Sequence, residues 1–111
     1  MPAINYIKLT SDIGGEIKLE HNTLRRTVLV IRSVGHKLRQ QIIKMLEETP
    51  RLTVTEIYIK LRIEQSIASQ HLSILRRSGV VISKRTGKFI YYSLNKERLV
   101  EIGNLIKELV K

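Results

Sequence analysis

Apolar side chains recur at helical spacing through most of this chain, and the breaks between the stripes predict its elements. From Asn22, a suitable N-cap, Leu24, Val28 and Ile31 fall at i, i+4 and i+7, with Leu29 and Val30 widening the stripe and Arg25, Arg26 and Arg32 outside it. Ser33-Val34-Gly35 interrupts. A second helix is predicted from about His36 to Glu48, with Leu38, Ile42, Met45 and Leu46 as its apolar face, and Pro50 stops it. Thr53 followed by Glu56 at the capping-box interval opens a third helix over Val54–Leu61. Only Arg62-Ile63-Glu64 separates it from a fourth, Gln65–Arg77.

That spacing suits a helix-turn-helix, in which the second helix is held out to enter a DNA groove. Along Gln65–Arg77, Ala68, Leu72 and Leu75 form one stripe with His71 at its edge. The opposite face carries Ser66, Ser69, Gln70, Ser73 and Arg77, with Ile67 and Ile74 at one margin. A solvated helix face is usually filled with Glu and Lys. Here the side chains are short, neutral and hydrogen-bonding, able to reach base edges where carboxylates would be repelled by phosphate. The plain alternative is a surface helix that happens to be serine-rich; the basic stretches around it favour the DNA reading.

Gly79 follows as a C′ residue. Val80–Arg85 and Phe89–Leu94 then flank Thr86-Gly87-Lys88, two β-rich runs around a turn that predict a hairpin. Its basic tip, Lys84, Arg85 and Lys88, suits a wing lying along a phosphate backbone, although strand lysines also protect edges from aggregation. Phe89, Tyr91 and Tyr92 on the second strand are expected to be core. A last helix starts near Asn95, with Leu99, Ile102, Ile106 and Leu109 as a seam suited to another helix. Gly103 inside it costs about 1 kcal/mol relative to Ala, which the close approach of a neighbouring backbone would explain. The apolar first helix is the expected companion, and two copies of that pair would make a dimer interface. Residues 1–22 are set apart as an N-terminal arm from a domain over residues 23–111. In the arm, partial alternation in Ile4–Leu9 and Glu16–Leu19 surrounds a turn-like Ser11–Gly15. A short hairpin, an arm laid over a second subunit and a mobile tail all remain open.

Composition sharpens the class. A chain of 111 residues buries a limited core by itself, so help from a partner subunit is expected. Twenty Lys and Arg against ten Asp and Glu give a net charge of +10, an electrostatic case for a polyanion. The absence of cysteine excludes disulfides and thiolate metal sites. No apolar run approaches the roughly 18 residues of a membrane span, and no signal pattern opens the chain, so a cytoplasmic protein without a membrane partner is expected. No Gly-rich phosphate loop, nucleophile elbow or framed carboxylate pair supports an enzyme.

With these elements in place, the order helix, helix, helix-turn-helix, basic hairpin, helix resembles the ArsR family of winged helix-turn-helix repressors. The matching strings are Arg39 with Ile42-Ile43, Gln65-Ser66 with Ser69-Gln70-His71-Leu72, Arg76 with Gly79-Val80-Val81, and Arg85-Thr86-Gly87-Lys88 leading into Tyr91-Tyr92-Ser93-Leu94. The similarity covers roughly residues 24–110. It implies a homodimeric repressor whose two reading helices contact an imperfect inverted repeat in double-stranded DNA, often under control of a metal or another signal. Members that sense arsenic or cadmium carry two cysteines where this chain has Thr53 and Thr55, and hydroxyls are poor ligands for soft metals. Zinc-sensing members use Asp and His on the last helix, but no histidine follows His71. Position 36, usually Asp in the family, is His36, and Lys37 follows in place of Pro.

The expectation is therefore a mainly α fold with a small β-hairpin wing, winged helix-turn-helix and dimeric. Gln65, Ser66, Ser69, Gln70, His71 and Ser73 on the reading helix, with Arg77, Lys84, Arg85 and Lys88 as phosphate contacts, make the DNA-facing set. Leu24, Val28, Ile31, Leu99, Ile102, Ile106 and Leu109 make the dimer interface, with no metal or cofactor. A basic winged helix that binds RNA or protein is the alternative. It is disfavoured by the serine-rich face, since single-strand RNA readers present exposed stacking aromatics.

Overall fold

The computed structural model describes residues 6–11 and 14–111; the parts of the predicted arm at Met1–Asn5 and Asp12–Ile13 lie outside the described residues. The chain divides into two compact units, Met1–Arg32 and Ser33–Lys111, with the division inside the first helix.

In the first unit, strands β1 (Tyr6–Ser11) and β2 (Gly15–Glu20) pair antiparallel, the pairing that the hairpin reading of the arm expects. Ile7 lies opposite Leu19 and Leu9 opposite Ile17, which places these four apolar side chains on one face. Lys8 and Lys18 oppose each other on the other face, with Lys8 Nζ 3.4 Å from a Glu16 carboxylate oxygen. All four apolar residues are exposed. Helix α1 (His21–Gly35) follows without a linker and opens at His21, one residue before the expected cap. Its stripe Leu24, Val28, Leu29 and Ile31 is exposed as well.

In the second unit α1 runs on through Ser33-Val34-Gly35 without the predicted interruption. Ser and Gly lower helix propensity by no more than about 1 kcal/mol, which tertiary context overrides, and Ser33 is fully buried. Helix α2 (Lys37–Glu48) buries Ile42 and Leu46 and ends at Thr49, whose N–H donates to the Met45 carbonyl. Strand β3 (Leu52–Thr53), too short to leave a sequence pattern, leads into α3 (Val54–Leu61). The capping box is formed: Thr53 Oγ1 accepts the Glu56 N–H at 3.2 Å, and Glu56 Oε1 accepts the Thr53 N–H at 3.0 Å. The Thr53 backbone N–H, then the Thr53 hydroxyl, hold the Glu56 carboxyl below its ordinary pKa, with a smaller contribution from Lys60. A depressed carboxyl contributes stability above its unfolded value and loses it as the pH falls through the folded one.

Arg62, in the left-handed region at φ 56°, turns the chain into α4 (Gln65–Arg77). Strands β4 (Val81–Thr86) and β5 (Phe89–Leu94) form the wing, in a sheet of order β3-β5-β4, and α5 (Lys96–Leu109) closes the chain with Asn95 as its cap. The core draws on each layer: Ile42 and Leu46, Leu52, Ile57, Ala68, Leu72 and Leu75, Val80 and Val81, and Ile102. Ile102 is thus corrected from the predicted dimer seam; it is 5% exposed within the chain itself. Leu99 and Ile106 are half-buried, and only Leu109 of the seam is exposed. Among the described residues, and apart from its chain neighbours and the backbone of its own helix, nothing lies within 4 Å of a Cβ added at Gly103, so no close approach of a second described element explains that glycine.

Replacing Thr53 by Ala removes the hydroxyl half of the box. The expected loss is about 1 kcal/mol of unfolding free energy, read as a lower urea midpoint at unchanged slope. An unchanged midpoint would show that α3 does not depend on its cap.

Candidate nucleic-acid interface

Helix α4 is anchored by one face and displayed by the other. Ala68, Leu72 and Leu75 have no exposed surface. Gln65, Ser66, Ser69, Gln70, Ser73 and Arg77 are all exposed, with Ile67 beside them. Arg76 and Arg77 occupy the last turn, where positive charge complements the negative end of the helix dipole. The end itself is tied down. Gly79 takes φ 78°, Val80 N–H donates to the Leu75 carbonyl at 2.9 Å, and Arg98 Nε of α5 donates to the Ser78 carbonyl at 3.2 Å. Arg98 also lies 3.5 Å from Glu101, and Asn95 N–H donates to the Val80 carbonyl at 2.9 Å. These links join α5 to the tail of α4. No sequence signal marked Arg98.

His71 does not belong to the displayed row. It is half-buried, its ring centroid lies 4.8 Å from that of His36, and its Nδ1 is buried with no hydrogen-bond partner among the described residues. Burial, then His36, then Arg39 hold its pKa below the ordinary imidazole value.

The wing turns at Gly87-Lys88, between paired Thr86 and Phe89, with Gly87 at φ 63°. Positive φ at the first central position matches a type II′ hairpin, whose twist suits the flanking strands. Lys84, Arg85 and Lys88 are exposed. Lys84 and Arg85 are successive strand residues and project from opposite faces, so the wing carries positive charge on both sides. The expectation that Phe89, Tyr91 and Tyr92 are core is corrected: Phe89 is 51% exposed and both tyrosines are half-buried. Phe89 pairs with Thr86 at the turn end of the ladder, at the tip of the wing. Arg51, also missed in the sequence, braces this strand. Its guanidinium stacks 3.7 Å from the Tyr91 ring centroid, and Nη2 donates to Thr86 Oγ1 at 2.8 Å.

A displayed helix of Ser and Gln, flanked by cations on its own last turn and on the wing, fits a duplex groove and its phosphates. Among the described residues no three His, Cys, Asp or Glu side chains converge as a metal site, and no helix is long and apolar enough to cross a membrane. The Thr53 hydroxyl is engaged in the capping box.

Residues 36–83 match the family model described as bacterial regulatory protein, arsR family. The transcriptional repressor PagR of Bacillus anthracis is 32% identical over 93 residues, which cover 83% of this chain and 92% of PagR. The PagR crystal structure superposes with a TM-score of 0.60 over 81% of this chain and 99% of that one. HlyU from Vibrio cholerae, a transcriptional activator 30% identical over 92 residues and covering 83% of each chain, also has a TM-score of 0.60.

Arg51→Met keeps the aliphatic stem and removes both the stacking and the hydrogen bond. An exposed cation–π contact is worth about 0.5–1 kcal/mol, so a loss of about 1 kcal/mol in chemical denaturation is expected. A variant as stable as the unmodified protein would show that Arg51 does not brace the wing.

Proposed function

The chain belongs to the arsR family of bacterial regulatory proteins, a transcriptional regulator and not an enzyme, and from that premise we propose that it is a homodimeric repressor reading an inverted-repeat operator in double-stranded DNA. The observation that carries this reading is the outward row Ser66, Ser69, Gln70 and Ser73, exposed on a helix whose inner residues Ala68, Leu72 and Leu75 are fully buried. Gln pairs in bidentate fashion with adenine in the major groove, and Ser serves several bases. Arg77, Lys84, Arg85 and Lys88 hold phosphates, and the net charge of +10 draws the protein to the duplex. Dimerisation is supported by apolar surface left uncovered in each unit: Leu24, Val28, Leu29 and Ile31 on α1, and Val100, Leu105, Leu109 and Val110 on α5. Two-fold symmetry places half-sites about one helical turn apart, roughly 10 base pairs centre to centre. PagR is a repressor by its name and HlyU an activator, so repression is taken from the family resemblance and not from these two relatives together.

One observation favours a second reading. Exposed Phe89, with Lys88 Nζ 5.6 Å from its ring centroid, offers a single aromatic on which an unpaired base stacks. One aromatic at a wing tip is a small platform beside a full row of groove-reading side chains, and the duplex reading is preferred.

Selection of bound DNA from a random duplex pool yields the operator and its symmetry. On that operator, Gln70→Ala is expected to weaken binding by about 1–3 kcal/mol while leaving random duplex nearly unaffected. Lys88→Ala weakens both and flattens the salt dependence by about 0.9 per lost phosphate contact. Equal losses on operator and random duplex for Gln70→Ala, or tighter binding of single strands than of duplex, would overturn the reading.

The homodimer works without metal sensing. Thr53 and Thr55 supply no thiolate, and α5 supplies Glu101 and Glu108, which face Arg98 and Lys111, but no imidazole. Zn²⁺, Cd²⁺ or arsenite at low micromolar concentration is expected to leave the protein on its operator, as read by fluorescence anisotropy. A stoichiometric, chelator-reversible release would refute this.

A further inference from the structure

The start of α2 is capped by a residue that changes its hydrogen-bonding character with pH. His36 has extended backbone (φ −79°, ψ 130°), and its Nδ1 accepts the Leu38 N–H at 3.1 Å. Its carbonyl accepts the Gln40 N–H at 2.9 Å, the first turn of the helix. Ser, Thr, Asp and Asn, the usual caps, keep an acceptor across the neutral and mildly acidic range. A protonated imidazole keeps none, since both ring nitrogens then donate. It also places a cation at the positive end of a helix dipole, and the first turn of α2 has no acidic side chain to offset it.

The same ring is stacked, at a 48° tilt, on His71 of the reading helix, with the rings 4.8 Å apart. Buried Arg39 is the second group acting on His71, after His36. The charged groups facing the joint are therefore His36 and Arg39, both from the α2 side. The tail of α1 (Ser33-Val34-Gly35) carries no charge, and the ionisable residues of α3 and β4, which also pack on α4, contribute none of the interactions that set the titration of His71. No carboxylate is among the groups acting on His71, so a proton gained by its ring meets only positive charge.

We propose that His36 and His71 form a proton-sensitive joint between α2 and the reading helix, so that mild acidification loosens α4 and weakens DNA binding. The inference rests on the DNA-binding reading above, and it assigns to His36 the role of a positioning residue that acts through His71. His71 is held below its ordinary value by burial first. A histidine depressed in the folded state contributes stability that is complete above its unfolded value of about 6.5 and is lost as the pH falls below it towards the folded value. The direction is diagnostic. Protonation elsewhere on a DNA-binding surface adds positive charge and strengthens attraction to phosphate, the opposite trend.

Two readouts between pH 7.5 and 5.5 test this: the thermal midpoint of the free protein, and anisotropy with the duplex recovered from the random pool. The midpoint of the unmodified chain is expected to fall with pH. Its duplex affinity should drop on the order of threefold to tenfold, because only the fraction with α4 seated binds. His36→Asn, which keeps a cap acceptor at every pH, should flatten both curves, and His71→Gln should flatten the midpoint curve. His21→Gln, at an exposed histidine outside the joint, should leave both slopes as they were. A midpoint that does not fall, a slope unchanged in His36→Asn, or an affinity that rises on acidification would overturn the proposal. A midpoint that falls as expected in a protein that selects no duplex at any pH would instead overturn the DNA-binding reading and leave the joint standing.

Discussion

Every functional feature of this chain depends on seating the inner face of α4. Ala68, Leu72 and Leu75 lose all their exposed surface, and full burial of a leucine stabilises by roughly 1.5–3 kcal/mol relative to leaving it in water. The matching surfaces are Ile42 and Leu46 of α2, Ile57 of α3 and Val80 and Val81 at the root of the wing, all buried. Because these side chains come from α2, α3 and the wing, the outer face of α4 is held in one orientation. The Ser and Gln row can then be short. Long side chains would lose more rotamer freedom on binding, and a rigid helix does not need their reach.

Polar contacts set the ends of that arrangement. The Thr53–Glu56 box starts α3, left-handed Arg62 makes the tight turn, and Arg98 takes the Ser78 carbonyl at the tail of α4. At the other side, the His36 cap and the His71 ring meet where α2 begins. The reading helix is thus tied to α5 at its C-terminal end and to the start of α2 through its middle. A change in either neighbour therefore reaches the exposed Ser and Gln row through direct contacts. The first unit is a different case. Its hairpin displays Ile7, Leu9, Ile17 and Leu19 on one face, all exposed, and two-stranded hairpins are marginal by themselves in water.

Much of this was legible in the residues alone, wherever the signal is local. Helical period and caps marked α2 through α5, the Thr53–Glu56 interval marked the box, and Gly79 and Gly87 marked the turns that do take positive φ. The exposed row on α4 followed from which side of the stripe was polar. What stayed hidden depends on contacts between distant positions. Arg51 finds Thr86 across 35 residues and Arg98 finds Ser78 across 20, and nothing near either arginine announces its partner. The predicted interruption at Ser33-Val34-Gly35 failed because the small cost of Ser and Gly in a helix is decided by packing. A stripe also names no occupant: Ile102 shares its spacing with Leu109, yet one is buried within the chain and the other exposed. Local chemistry determined the elements, the reading face and the family likeness. Only the tertiary structure decided which stripes meet, that His71 turns inward to His36, and that Phe89 is left half exposed, because periodicity defines a face without defining what packs against it.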